Sequence, residues 1–239
     1  MAIGEASTSY LYIPSAAERI KKYLPDVKLI VVLRQPVDRA YSHYLHHYRN
    51  GGEVNLSLTE AIRDEKKRQE EDWSPFWQYQ EIGFYHKHLS HLFNVFDPKN
   101  IKVCFYEDLC GNPQDLLKDI FLFLGVDLDA EYTLPNKKYN VSTISKKPRS
   151  KVLHNLLNGE SWFKSLAKSI LDDSIRQRIR HFASQKNNVK IAQPYKPKLS
   201  SEEWNKLNEA YKQDILSLQE LVDRDLGHWL IRKSSSPAK

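Results

Sequence analysis

The feature that most constrains this 239-residue chain is the stretch Lys28-Leu-Ile-Val-Val-Leu-Arg-Gln-Pro-Val-Asp-Arg-Ala-Tyr-Ser-His-Tyr44. Leu29 to Leu33 is an unbroken aliphatic run, the pattern of a strand in a parallel sheet covered on both faces. Gln35-Pro36 then opens a helix, because proline at the first helical position gives up a donor that would have no helical partner and presets φ. Val37, Tyr41, Tyr44 and Tyr48 recur at spacings of four, three and four and can share one inward stripe. Arg39, Ser42, His46 and Arg49 occupy the opposite face. Arg34 therefore falls at the carboxyl end of a strand, beside unpaired helix N–H groups and the positive end of a helix dipole. Open α/β sheets bind anions at that place, and the chemistry points to a phosphate.

Composition narrows the ligand further. Lys and Arg number 36 against 30 Asp and Glu, a formal net charge of +6. That modest excess suits an anionic ligand or a polyanionic acceptor, and no nucleic-acid-binding motif accompanies it. The two cysteines, Cys104 and Cys110, form neither a disulfide framework nor a zinc pattern, which fits a reducing, cytoplasmic setting. The longest apolar run is about five residues, far short of the roughly 20 that a membrane helix needs, so no membrane partner and no signal peptide are expected. A chain of this length is most simply one α/β domain, here residues 1–233, with a frayed tail over 234–239.

The remaining segments follow from punctuation and periodicity. Pro14-Ser15 starts a helix carrying Ala16, Ala17, Ile20 and Tyr23 that ends before Pro25. Ser57 or Thr59 caps a helix running to about Glu71, with the charge run Arg63 to Asp72 as a solvated face. Trp73 to Tyr79 is an aromatic loop, either a platform for sugar or aryl groups or simple packing. Ile82 to Phe96 reads as an amphipathic helix. Its His86, His88 and His91, like His43, His46 and His47 before them, lack the partner carboxylate or cysteine of a zinc site, so no metal is expected. Ile101 to Tyr106 is a second buried strand, with Cys110 in the loop after it. Asn112-Pro113 begins another helix that Gly125 stops. Residues 134–153 are polar and basic, a solvated or phosphate-covering loop, and from Asn155 onward the chain reads as helical. Ser200 or Ser201 caps the last long helix, with Trp204, Leu207, Ala210, Tyr211, Ile215 and Leu218 as its inner stripe.

Three segments carry a resemblance. Arg34-x-Pro36-x-x-Arg39-Ala40-x-Ser42-x-Tyr44 resembles the segment that holds the 3′-phosphate of 3′-phosphoadenosine 5′-phosphosulfate (PAPS) in PAPS-dependent sulfotransferases, where an Arg and a Ser eight positions later contact that phosphate. Glu5-Ala-Ser7-Thr-Ser-Tyr10 resembles the Glu-Lys-Ser/Thr-x-x-Tyr piece of the bacterial and heparan sulfate groups, with Ala6 in place of the usual Lys. Phe105-Tyr106-Glu107-Asp108-Leu109 through Gly125 is similar to a third family segment, in which a tyrosine at the position of Tyr106 lies against adenine. The three fall in the family's order, and the resemblance extends from Glu5 to Trp229.

The resemblance implies a P-loop NTPase-like α/β fold with a mainly parallel sheet and helices on both faces. It implies transfer of a sulfuryl group from PAPS to a hydroxyl or amine of a small-molecule or glycan acceptor, leaving 3′-phosphoadenosine 5′-phosphate (PAP). Glu5 is then the candidate base, Arg34 and Ser42 the 3′-phosphate anchors, and Tyr106 the adenine contact. The family's first strand and its 5′-phosphosulfate loop have no counterpart here, since no Gly-x-x-x-x-Gly-Lys-Ser/Thr pattern occurs. Weak or no turnover by this polypeptide is therefore expected, as are unpaired backbone and an exposed apolar groove where a central first strand would lie. The rival reading is a module that binds an anionic nucleotide or glycan without catalysis.

Overall fold

Two parallel strands and the turns at their carboxyl ends form the frame. The computed structural model describes residues 3–49, 52, 53, 55, 57–127, 144–148, 188–195 and 199–232. They divide into two units, Met1–Ala40 with Glu71–Lys137 and Ser200–Lys239, and Tyr41–Glu70 with Lys138–Leu199.

In the first unit, α1 (Pro14–Tyr23) precedes β1 (Leu29–Leu33), which feeds α2 (Pro36–Arg49). A 3₁₀ turn at Glu81–Gly83 leads into α5 (Tyr85–Val95), numbered after two short helices of the other unit. Next come β2 (Ile101–Phe105), α6 (Tyr106–Gly111), α7 (Pro113–Leu124) and the long α8 (Ser201–Val222). Strands β1 and β2 pair in parallel, with Leu29 opposite Ile101 and Leu33 opposite Phe105. Such a pairing needs a long crossover, supplied here by the chain between residues 34 and 100.

The local signals hold where the sequence placed them. Asn112 caps α7 through its side chain, and Gly125 ends that helix in the left-handed region at φ 70°. Ser200 and Glu203 form a reciprocal capping box at the start of α8. Trp204, Leu207, Tyr211, Ile215 and Leu218 of α8 are buried, and α8 packs on α5. Gly83 allows that packing to be close, because a Cβ there would stand 2.6 Å from the Tyr211 hydroxyl, which donates to Gln80 O at 2.9 Å. Helix α5 has no cap of its own; Asp214 of α8 accepts from the N–H groups of His86 and Lys87 at 3.1 and 3.4 Å. Burial raises the Asp214 pKa above the ordinary carboxylate value, and those two bonds oppose the rise.

Several expectations need correction. Strand β1 is not covered on both faces: Ile30 and Val32 are 39% and 54% exposed, while Leu33 is fully buried. Of the apolar residues that α1 carries, only Ala17 is buried, and Tyr23 is 73% exposed with Lys22 over its ring. In α8 it is Asn208, not Ala210, that faces inward, since its amide is consumed by buried hydrogen bonds. Tyr106 starts α6 instead of ending the strand, and Cys110 sits in that helix.

In the second unit, the predicted helix from Ser57 to Glu71 is two short ones, α3 (Leu58–Arg63) capped by Ser57 and α4 (Glu65–Glu70). Within the charge run Arg68 is buried, with both guanidinium nitrogens 2.9 Å from the carboxylate of fully buried Glu53. Strand β3 (Ile144–Pro148) pairs antiparallel with β4 (Asn188–Tyr195). Both lie where the sequence reading gave loop and helix; β-branched Val189 and Ile191 were outweighed there by the surrounding polar residues. Of the stretch expected to be helical from Asn155 onward, residues 155–187 fall outside the described residues.

Candidate nucleotide site

The candidate site stands at the carboxyl end of the parallel pair. Arg34 follows β1 and Tyr106 follows β2, and the register that sets Leu33 opposite Phe105 makes them neighbours. The Arg34 guanidinium lies over the Tyr106 ring, 4.8 Å from its centroid. A guanidinium at this distance from a ring is attracted to its face, and its five N–H groups are donors that suit an anion. Tyr106 is 41% exposed, and its phenol is held above its ordinary pKa by a hydrogen bond with the Cys110 thiol. Beneath, the Tyr85 hydroxyl bonds to the backbone of Arg34, and burial raises the pKa of this phenol.

The start of α2 differs from the sequence expectation. Pro36 has no N–H, and the Asp38 N–H donates to the side chain of Gln35 at 2.7 Å. The first turn therefore offers an anion fewer donors than expected, and Arg34 carries more of the positive potential. Gln35 also donates to Asn208 Oδ1 at 2.9 Å and to Trp229 O at 3.1 Å.

Glu5 is exposed, and its carboxylate accepts from the Tyr10 hydroxyl at 2.7 and 2.9 Å. That bond raises the Tyr10 pKa. The structure thus joins Glu5 to Tyr10 and Arg34 to Tyr106, with no hydrogen bond or ring contact linking the two pairs. Ser42 lies on the part of α2 assigned to the second unit. The basic stretch 134–153 lies mostly outside the described residues.

Sequence reasoning missed the residues that tie this end of the sheet to the C-terminal segment. Trp229 Nε1 donates to Glu107 Oε1 at 2.6 Å, and His228 Nε2 lies 2.9 Å from the same oxygen. Arg224 donates to both oxygens of Asp108 at 2.6 and 2.7 Å and stacks on Phe105 at 4.1 Å. The only signal available was an acidic pair directly after a strand, with Arg and Trp in a distant tail.

Residues 15–218 match the family model of the sulfotransferase domain. The chain belongs to the sulfotransferase family. It is 30% identical over 122 residues to human heparan sulfate glucosamine 3-O-sulfotransferase 3B1, covering 51% of this chain and 30% of that protein. It is 26% identical over 124 residues to human bifunctional heparan sulfate N-deacetylase/N-sulfotransferase 3, covering 51% of this chain and 14% of that protein. The matched part of this chain thus spans under a third of either relative's length. A solved sulfotransferase from Alicyclobacillus acidocaldarius superposes with a TM-score of 0.65 at 24% identity, over 95% of this chain and 67% of that one. This likeness shows the fold, an α/β arrangement of the P-loop-like kind. Among the described residues, no helix is long and apolar enough to cross a membrane, and no cluster of His, Cys, Asp and Glu is gathered for a metal.

Proposed function

We propose that this sulfotransferase-family chain binds PAPS and PAP through Arg34 and serves sulfuryl transfer to a hydroxyl or amine. One observation supports the reading: at the carboxyl end of β1 the Arg34 guanidinium lies over the Tyr106 ring, 4.8 Å from its centroid, in the segment whose sequence resembles the family's 3′-phosphate-binding stretch. Arg34 supplies the fixed positive charge, Ser42 a hydroxyl from α2, and Tyr106 the aromatic surface. Glu5 takes the acceptor's proton as the acceptor oxygen or nitrogen bonds to sulfur and the bond from sulfur to the 5′-phosphate oxygen breaks. A well-placed base of this kind contributes about 10²–10⁴ in rate. The names of the two human relatives point to a glycan acceptor, with N- and O-sulfation both represented.

The second reading is binding of an anionic nucleotide or glycan without catalysis. These 239 residues contain no Gly-x-x-x-x-Gly-Lys-Ser/Thr loop to stabilise a leaving 5′-phosphate. The enzyme reading and the nucleotide form of the binding reading both require the 3′-phosphate half of the site, whereas a glycan-binding module does not. Calorimetric titration of PAP into the chain is expected to give micromolar binding. Arg34→Ala removes a charge-assisted contact worth about 1.5–3 kcal/mol, a roughly 10- to 100-fold loss of affinity. Absence of binding by the wild-type chain would refute the nucleotide reading. Turnover of PAPS with heparan-type oligosaccharides then separates the enzyme from the binding module.

A further inference from the structure

We infer that the segment Arg224 to Trp229 is a brace that sets the geometry of the Arg34–Tyr106 pair, so that Arg224 and Trp229 are positioning residues of the nucleotide site. The inference rests on the reading of Arg34 as the phosphate anchor and adds to it a determinant more than a hundred residues away in sequence.

The segment holds both strand ends at once. On the β2 side it takes each of the two carboxylates that follow Tyr106: Glu107 accepts from the Trp229 indole at 2.6 Å, and Asp108 receives the Arg224 fork at 2.6 and 2.7 Å. On the β1 side the Trp229 carbonyl accepts from Gln35, the residue after Arg34, at 3.1 Å. The brace itself is rigid. Trp229 is 1% exposed, with its ring edge-on to Phe105 and Tyr85 at centroid distances of 5.8 and 6.1 Å. The two residues that could hold nucleotide therefore each adjoin a residue bonded to the same short segment. A bidentate fork fixes direction as well as distance, and a 1 Å displacement of an anion-binding group is costly. Helix α6 is only six residues long and has no side-chain N-cap, so its orientation depends on these outside bonds.

The test uses the 239-residue chain with PAP as the probe. Arg224→Lys keeps the charge and loses the fork; Trp229→Phe keeps an aromatic ring and loses the indole donor. Each is expected to weaken PAP binding about tenfold in the wild-type background and less than twofold in the Arg34→Ala background, the non-additivity expected of residues acting through one another. Amide exchange over residues 106–111 is expected to speed up about tenfold without nucleotide, while that of α5 stays unchanged. Equal loss of affinity in both backgrounds, or faster exchange throughout α5, would reduce the segment to a general structural role and overturn the inference. Wild-type affinity in both variants would overturn it as well, with the nucleotide reading intact. If the wild-type chain binds no PAP, the nucleotide reading falls, and the brace falls with it as a feature of that site.

Discussion

Two arginine–carboxylate forks of nearly identical geometry occur in surroundings of opposite kind. In the second unit Arg68 meets Glu53 at 2.9 Å through both nitrogens, with side chains 6% and 0% exposed. In the first unit Arg224 meets Asp108 at 2.6 and 2.7 Å, with both side chains 36% exposed. The difference shows that the chemistry of an ion pair does not by itself say what the pair does. Water around Asp108 and Arg224 screens their attraction and solvates either partner if the other is lost, so the pair can direct a helix without carrying much stability. Inside the second unit both partners are shielded from solvent, and the Glu53 carboxylate accepts from Arg68 and also from the Asn55 N–H at 2.9 Å.

The largest expected effect lies in the buried pair. Arg68→Met removes the guanidinium paired with the buried Glu53 carboxylate and should cost about 3–5 kcal/mol of unfolding free energy. Adding Glu53→Leu to Arg68→Met removes both charges and should recover most of that loss, because an apolar pair of similar volume is often neutral. Urea unfolding of the three proteins measures it. A single variant that loses less than about 1 kcal/mol would place the Glu53 pair in the same class as the exposed one.

Acid sharpens the same contrast. His47 is 7% exposed, and burial, aided by the positive field of His46 and Arg68 and opposed by Glu53, lowers its pKa from 6.5 to about 4. His43 also packs against it, ring edge to face at 4.7 Å. Between those two pH values the unfolded chain holds a proton that the folded chain rejects. Stability from this group is complete above pH 6.5 and is lost as the pH falls toward 4, by roughly 3 kcal/mol in all. His47→Gln should flatten the urea midpoint between about pH 7.5 and 5 relative to wild type. An unchanged slope would mean that His47 titrates as it does in water.

What the sequence revealed and what it concealed follow the reach of each interaction. Strand β1, the Pro36 start of α2, the Gly125 stop and the Ser200 capping box were legible because each is decided within a few residues. Arg34 at a strand end was legible for the same reason. Capping of α5 by Asp214 was not, since those partners stand 128 residues apart, and neither was the Arg224 fork, whose partners stand 116 apart. Arg68 was hidden differently: surrounded by Lys66, Lys67, Glu70 and Glu71 it reads as one more solvated charge, and only burial distinguishes it. Gln35 was overlooked because Pro36 by itself explained the helix start, while the Gln35 side chain takes up the Asp38 N–H of the helix N-terminus that the sequence left open for an anion.

The smallest expected effect on stability belongs to the exposed fork. Asp108→Asn keeps the shape of the side chain and removes its charge, and should cost no more than about 1 kcal/mol, shrinking further in roughly 0.5 M salt. Arg224 holds the Asp108 carboxyl below its ordinary pKa of 3.8, so whatever stability it lends persists above that value and fades only as the pH falls below it. That window lies beneath the one in which His47 acts, so the two contributions separate in a single acid titration. A loss above about 2 kcal/mol on Asp108→Asn, insensitive to salt, would show that the fork behaves like the buried pair. A near-neutral stability together with weakened PAP binding is the combination expected of a bond that aims Tyr106 rather than holding the unit together.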